Sequence, residues 1–301
     1  MIKLSQFVYY TSYGMKQIFT KSDKPLIGSI IITDICNLSC LHCAVNNKKK
    51  TMYTYDSICR DMKKLFSMGV RILMLYGGEP FLWNDSGKNL RDIVKRAKKI
   101  GFFVVNIVTN GTYQLNVPEA DTILVSLDGG KEKHEMIRGK CYDRIMQNIR
   151  NSPRPNICLY CALNRLNKNE ISKMGEIVVQ EHNIKAVSFN FHTPYPGTEN
   201  LSLTKSEKSR CCSEIRQLMK DNVPVFNLRS AFRHIVNNSF KRPISQTVIM
   251  ENGKIYKCGR CIDVNGLCEQ CGYFCTCEYL LAFNGNPLAI ADMLYTYTKY
   301  M

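Results

Sequence analysis

Short apolar, β-branched runs alternate with amphipathic runs along most of the chain. Residues 27–33 read Ile-Gly-Ser-Ile-Ile-Ile-Thr and predict a buried strand. A cysteine-bearing loop follows, then a helical pattern over 55–68 that stops at Gly69. Further strand-like runs occupy 70–76, 102–108, 122–127, 156–163 and 186–191. Helical patterns at 88–100, 142–151 and 168–182 separate most of them. Repeated β-then-α units need crossover connections and therefore build a parallel sheet. The crossover over 112–121 is short and predicts a single turn or an abbreviated helix. About six such units fit an α/β fold with a partial (β/α)6 TIM-type barrel better than two separate domains.

Beyond Phe191 the pattern loosens. It predicts a helix over 206–221, a strand over 223–228 and a short helix over 232–239. Residues 248–256 read as a β-hairpin turning at Asn252-Gly253 and running directly into Cys258. At the other end, residues 1–24 carry Phe7, Tyr9, Tyr10, Tyr13, Ile18 and Phe19 among lysines. That pattern fits an amphipathic helix laid on the protein with its lysines outward, or one laid on a membrane surface. The expected organisation is an N-terminal amphipathic segment (1–24), the barrel (25–200), a helical linker region (201–246) and a small cysteine-rich extension (247–301).

Composition narrows the setting. Of the 301 residues 45 % are hydrophobic, enough for a sizeable core, and no apolar run reaches bilayer-crossing length. The N-terminus lacks the compact apolar core of a signal peptide. A cytoplasmic location is the expectation, with peripheral membrane contact through residues 1–24 as its variant. In a reducing compartment 15 cysteines read as metal ligands or thiols rather than disulfides. The 41 Lys+Arg against 25 Asp+Glu give a formal charge of +16, which ligating thiolates lower. No basic stretch is interleaved with aromatics, so the excess reads as solvated lysine, as in Lys48-Lys49-Lys50 and Lys98-Lys99, and not as a nucleic-acid strip.

The chemistry gathers on loops that follow strands, where α/β barrels place their active sites. Cys36, Cys40 and Cys43 lie after the first strand in Cys-x3-Cys-x2-Cys spacing. Three thiolates hold three irons of a [4Fe–4S] cube and leave the fourth open. A zinc site is the competing reading of the Cys-x2-Cys portion. Gly77-Gly78-Glu79-Pro80 follows the second strand and Thr109-Asn110-Gly111 the third. Ser126-Leu127-Asp128-Gly129 ends the fourth, with Arg138-Gly139 on the next loop. Singly, each reads as a turn or a local ion pair. In this order, the series over roughly residues 27–195 resembles the radical S-adenosylmethionine (SAM) enzymes.

That resemblance implies a [4Fe–4S] cluster on Cys36, Cys40 and Cys43, with SAM chelating its open iron. It makes His42 a neighbour of the adenine, because an aromatic residue usually holds that position. Gly77, Gly78 and Glu79 match the motif that contacts the methionine amino group. Ser126 and Arg138 match positions that hold the methionine carboxylate or the ribose, and Asn110 approaches the ribose. The implied chemistry is reductive cleavage of SAM to a 5′-deoxyadenosyl radical, fed by an electron donor such as flavodoxin or ferredoxin.

Cys258, Cys261, Cys268, Cys271, Cys275 and Cys277 form a second group within twenty residues. Taken alone, Cys258-x2-Cys261 with Cys268-x2-Cys271 looks like a zinc ribbon. Behind a radical SAM barrel, the segment 251–258 resembles the hairpin that opens a SPASM or twitch domain. The resemblance then implies at least one auxiliary Fe–S cluster, a [4Fe–4S] centre. Cys258, Cys268, Cys271 and Cys275 are its first-choice ligands, with Cys261 and Cys277 as alternates. The tail is compressed relative to a full SPASM domain. Cys59, Cys141, Cys158, Cys161, Cys211 and Cys212 read as buried thiols, with Cys161 a minor catalytic candidate.

His192 and Tyr195 end the sixth strand and are the candidates to position substrate or donate a proton, against the reading of 192–198 as a rigid proline turn. The substrate class stays open between a peptide, a small metabolite and a membrane lipid. A non-catalytic zinc- or nucleic-acid-binding protein is the alternative from another class.

Overall fold

A computed structural model describes residues 4–43 and 50–300. Lys48 and Lys49 lie outside the described residues. The chain opens with α1 (Leu4–Thr20), β1 (Ile27–Thr33), α2 (Tyr55–Met68) and β2 (Ile72–Gly77). A tight hairpin, β3 (Asn84–Asp85) and β4 (Lys88–Asn89), leads into α3 (Leu90–Ile100) and β5 (Val104–Thr109). Next come β6 (Thr122–Ser126), α4 (Lys131–Arg138), α5 (Tyr142–Arg150), β7 (Ile157–Leu163), α6 (Ile171–Gln180) and β8 (Ile184–Phe191). The remainder holds α7 (Lys205–Lys220), α8 (Phe232–Asn237), the hairpin β9 (Thr247–Glu251) with β10 (Lys254–Lys257), and finally α9 (Phe274–Phe283) and α10 (Pro287–Tyr300).

One sheet runs in the order β10-β9-β1-β2-β5-β6-β7-β8. The six strands β1 to β8 within it are parallel, as the alternating pattern predicted. β9 extends the β1 edge as one more parallel strand, with Ile27 opposite Thr247 and Ile30 opposite Met250. β10 returns antiparallel through the Asn252-Gly253 turn. The hairpin that begins the cysteine-rich extension is thus part of the barrel's sheet.

Local chemistry sets the helix limits. The Thr54 hydroxyl caps α2 by accepting from Ser57 N at 3.3 Å, and Gly69 ends it in the left-handed region at φ 109°. Asn89 and Asp92 form a reciprocal capping box on α3. Along the strands, alternate residues such as Leu73, Leu75, Val105, Ile107 and Val187 are fully buried in one continuous core. The intervening Met74, Tyr76 and Tyr160 are half-buried.

Helix α9, apolar on nearly every side, closes the open barrel. Phe274 at its start packs on Phe191 at 4.9 Å and on Phe232 at 5.8 Å. Phe283 at its end meets Tyr13 at 5.4 Å, in a cluster with Leu26 and Ile27. It therefore runs from the C-terminal end of β8 to the N-terminal end of β1.

The crossover over 112–121 takes the shorter of the two expected forms, one turn at 118–119 in otherwise irregular chain. Several expectations need correction. Residues 223–228 are not a strand but contribute one bridge, Val187 with Val225. Pro224 has no N–H to donate, and the Asn227 side chain takes over the ladder, accepting from Phe189 N at 2.7 Å and donating to Phe189 O at 2.9 Å. The last two tail cysteines, Cys275 and Cys277, lie within α9, and α10 follows. Helix α1 packs its tyrosines inward and turns Lys16 outward as expected, but its solvent side also exposes Phe7, Val8, Met15, Ile18 and Phe19 beside Ser5, Thr11 and Ser12.

Candidate active site at the strand C-termini

The cysteine loop is clamped from below by the glycines after β2. Gly78 N donates to Thr33 O at 2.7 Å and Glu79 N to Ile35 O at 2.8 Å. A Cβ on Gly77 would stand 2.0 Å from Thr33 O, and one on Gly78 2.2 Å from Ile35 O. Both glycines are therefore required by backbone packing against the start of the loop.

Glu79 is fully buried and faces inward. Its carboxylate accepts from Thr109 Oγ1 at 2.7 Å, Asn110 N at 2.7 Å and Phe81 N at 3.0 Å. Burial raises its pKa to about 7 against these hydrogen bonds. It fixes the Thr109-Asn110-Gly111 turn. Asn110 in turn accepts from Thr112 N and Oγ1, donates to Asn37 Oδ1 at 2.9 Å, and places Nδ2 3.6 Å from Cys36 Sγ.

Arg138, at the end of α4, reaches back to the same loop. Its Nε donates to Asp128 Oδ2 at 2.6 Å, while Nη1 lies 3.9 Å from Cys40 Sγ and Nη2 lies 3.2 Å from His42 Nε2. Burial acts to raise the Asp128 pKa, but Arg138 and then His42 outweigh it and the net shift is downward. Asp128 also accepts from Ala162 N at 2.9 Å through Oδ1. An arginine can only donate, so His42 Nε2 accepts and the ring proton sits on Nδ1. Burial lowers the His42 pKa to about 4, keeping the ring neutral. Its Nδ1 is buried and has no hydrogen-bond partner among the described residues. That leaves a spare donor beside the cysteines.

The three thiols act on one another. Burial raises the Cys40 pKa to about 11, Cys43 and Cys36 add to the rise, and Arg138 opposes it. This donor set fits a [4Fe–4S] cluster: three convergent thiols, a cation on one and an amide on another. Among the described residues no group of His, Cys, Asp and Glu gathers at the spacing of a single metal ion. Ser126 is buried at the end of β6.

The tail reaches the same mouth at Gly272, while Cys258 lies towards the other end of the sheet, where its N–H donates to Thr247 O at 2.8 Å, opposite Ile27 at the start of β1. Gly272 lies against the end of β8: Phe191 N donates to Gly272 O at 2.9 Å, and Gly272 N to Thr193 Oγ1 at 3.0 Å. Burial raises Cys261 to about 12, with Cys271, Cys258 and Cys268 adding to the shift. Burial likewise raises Cys268, Cys271 and Cys275, with Cys258 adding to each shift. Cys277 turns away, pointing its thiol at Ala231 O in the core.

His192 and Tyr195 reach the site differently. His192 Nε2 donates to Thr198, 3.1 Å from its carbonyl and 3.0 Å from its hydroxyl, so it braces the proline turn, and its ring lies 6.2 Å from that of His42. The Tyr195 hydroxyl lies 3.4 Å from that of Tyr273, and Cys261 and Cys271 both act on it.

Sequence reasoning missed the group that joins the two cysteine sets. Arg260, between Cys258 and Cys261, lies 3.3 Å from Asp34 Oδ1 and 3.6 Å from Glu251 Oε2. Tyr53 and Tyr256 donate to the same Glu251 at 2.8 and 3.0 Å. An arginine inside a cysteine motif and an aspartate two residues before another were the only signals. A cleft of about 740 Å³ between α7 and α8 is lined by Lys205, Arg216 and Arg233, and by none of these ligand candidates.

Residues 30–154 match the family described as the Radical SAM superfamily. The chain is 29 % identical over 161 residues to a probable GTP 3′,8-cyclase of Saccharolobus islandicus, covering 49 % of this chain and 51 % of the relative. It is 27 % identical over 212 residues to the Fe-coproporphyrin III synthase of Methanosarcina barkeri, covering 64 % and 51 %. The chain thus spans about half the length of these curated relatives. In fold it is similar to Streptococcus suis SuiB bound to the precursor peptide SuiA, with a TM-score of 0.63 at 13 % identity over 96 % of this chain and 70 % of SuiB. It is also similar to anSMEcpe with bound AdoMet and the Kp18Cys peptide, with a TM-score of 0.59 at 15 % identity over 91 % and 84 %. The motif order read from the sequence, the parallel barrel beneath it and the matched segment agree: residues 30–154 of this chain form a radical SAM domain.

Proposed function

We propose that this enzyme cleaves SAM reductively at the Cys36–Cys40–Cys43 site and removes a hydrogen atom from a peptide or small metabolite, assisted by an auxiliary Fe–S centre. The observation that carries the reading is the cysteine loop held at the strand C-termini by the Gly77-Gly78 clamp and Arg138, with the tail cysteine segment tied to it through Arg260 and Asp34. A [4Fe–4S] cluster with an open iron, when bound, supplies the electron that breaks a carbon–sulfur bond of SAM and yields the 5′-deoxyadenosyl radical.

The chain's own residues do the rest. Cys36, Cys40 and Cys43 hold the cluster, and Arg138 favours the Cys40 thiolate by its charge. The Nδ1–H of His42 is free to donate to an acceptor of the bound cofactor, and Ser126 stands at the strand end where a carboxylate or ribose is held in relatives. Glu79 keeps the Asn110 turn in register beneath them. Cys258, Cys261, Cys268 and Cys271 hold the auxiliary centre, with Cys275 next in line. Tyr195 and Tyr273 wall the space beside it and exclude water from a radical reaction.

A peptide is favoured over a lipid by two features. The fold likeness to the peptide-bound SuiB runs over nearly the whole chain, tail included. Helix α1 contacts the opposite end of the barrel and not the mouth, so it does not feed a lipid inward.

The test is anaerobic purification, iron and sulfide analysis, and measurement of 5′-deoxyadenosine after reduction. Wild type should form it and Cys40→Ala should not. No 5′-deoxyadenosine from iron-loaded wild type, or undiminished formation by the variant, overturns the proposal.

A further inference from the structure

Helix α1 has two faces, and each is apolar. The inner face is fastened to the bottom of the barrel. Tyr9 Oη donates to Gly69 O at 2.7 Å and Tyr13 Oη to Lys24 O at 2.7 Å, just before β2 and β1. The Tyr9 and Tyr10 rings meet Phe103, just before β5, edge-on at 5.3 and 5.7 Å. Arg71 lies over Tyr9 at 4.9 Å.

The outer face has no such partners. Phe7 is 58 % exposed, Val8 57 %, Met15 52 %, Ile18 37 % and Phe19 74 %. At 100° per residue these five positions fall within an arc of about 120° on one side of the helix, which the exposed Thr11 shares. The stripe continues past Ile18, which lies beside Gly285, towards Leu288 at the start of α10, 70 % exposed. Five large apolar side chains held outward by a helix whose other side is fully engaged call for a cover.

Charge identifies that cover. No acidic residue precedes Asp23 in the sequence, whereas Lys16, Lys21 and Lys24 are exposed along and just after the helix. The chain as a whole carries a formal +16. An apolar stripe rich in phenylalanine, flanked by lysines and free of carboxylates, matches an anionic bilayer surface, where the stripe enters the acyl boundary and the ammonium groups meet headgroups. Among the described residues no helix is long and apolar enough to cross a membrane, so the contact is interfacial.

We propose that the outer face of α1 docks this enzyme on anionic membrane surfaces. Because α1 sits at the N-terminal ends of β1, β2 and β5, the bilayer covers the bottom of the barrel. The loop that carries Cys36, Cys40 and Cys43 follows the other end of β1 and faces away from the bilayer. The membrane is then an anchor and not the source of the substrate. This inference does not depend on the reaction proposed above.

The test uses the full-length, iron-loaded protein and two vesicle types, phosphatidylcholine alone and phosphatidylcholine with phosphatidylglycerol. Wild type should float with the anionic vesicles and be released by salt. Phe7→Glu/Phe19→Glu should bind at least about tenfold more weakly, the loss expected from roughly 1.4 kcal/mol of apolar insertion. Its thermal midpoint and iron content should match wild type, since both side chains point to solvent. Failure of wild type to bind anionic vesicles, or equal binding by the double variant, overturns the proposal. So does a light-scattering mass of two chains for wild type that falls to one in the variant, because a second copy would then be the cover.

Discussion

Arg260 points its Nη1 at Asp34 Oδ1, 3.3 Å away, and so ties the chain between Cys258 and Cys261 to the residue two places before Cys36. Glu251 stands on the other side of the guanidinium at 3.6 Å. One cation thereby holds two buried carboxylates, one from the barrel's first loop and one from its last hairpin. The second oxygen of Asp34 is buried and has no hydrogen-bond partner among the described residues, so its charge is balanced through Arg260. The two cysteine-bearing segments are thus held together by one brace.

Removing that brace leaves like charges facing each other in the interior. Arg260→Ala should lower stability by roughly 3 kcal/mol, in the range for breaking a buried ion pair from one side. Adding Asp34→Asn should return part of that loss, giving a favourable coupling in a double-mutant cycle. Urea midpoints of the two single variants, the double variant and wild type measure it. Additive losses mean that the residues do not sense each other.

The tail cysteines divide by where their sulfurs point. Cys261→Ala should lose the iron of the auxiliary centre, whereas Cys277→Ala, whose thiol points at Ala231 O, should keep it. The core cavity left at Cys277 should still cost about 1 kcal/mol of stability. Cys271→Ala should retain some SAM cleavage uncoupled from substrate turnover. Iron and sulfide content, with 5′-deoxyadenosine and product followed together, separates these outcomes. Full turnover by Cys271→Ala removes the auxiliary centre from the mechanism.

The barrel was legible because its signals are local. Thr54 and Gly69 mark both ends of α2 by capping alone, and the β-branched runs declare their strands. The mouth was legible because each motif follows a strand in a fixed order. What escaped depends on distant partners. Nothing near 223–228 announces that the Asn227 amide replaces the ladder, since its partner Phe189 lies 38 residues away. In 274–283 a helix hides behind cysteine spacing, so Cys277 looks like a ligand although α9 turns it into the core. The two faces of α1 are likewise indistinguishable until Tyr9 and Tyr13 find Gly69 and Lys24.

Glu79 gives the fold a pH dependence of defined sign. Burial raises its pKa from the usual 4.5 to about 7, so the folded state holds a proton that the unfolded chain has released. Its contribution is therefore fully present below 4.5 and is lost as pH rises through about 7. The gap corresponds to roughly 3 kcal/mol. Glu79→Gln removes the titration and also presents an amide donor where Thr109, Asn110 and Phe81 all donate. Wild type should exceed the variant by more at about pH 5 than at about pH 8 in anaerobic urea titrations. A gap that widens with rising pH means that Glu79 ionises readily in the fold.

Asn110 tests whether the protein tunes the site electrically or only shapes it. Its Nδ2 lies 3.6 Å from Cys36 Sγ and 2.9 Å from Asn37 Oδ1, so the amide is held in place by one partner while it faces the sulfur of another. A donor aimed at a ligating sulfur stabilises the more negative, reduced form of a cluster more than the oxidised form. Asn110→Leu keeps the bulk and removes the donor. Iron content should therefore hold while the midpoint potential falls. The expected change is on the order of tens of millivolts, because only a fraction of a 1.5–3 kcal/mol charged hydrogen bond differs between the two states. A redox titration followed by electron paramagnetic resonance reads it directly. If the potential stays put and iron is lost, Asn110 serves the loop's shape and the sulfur contact is incidental.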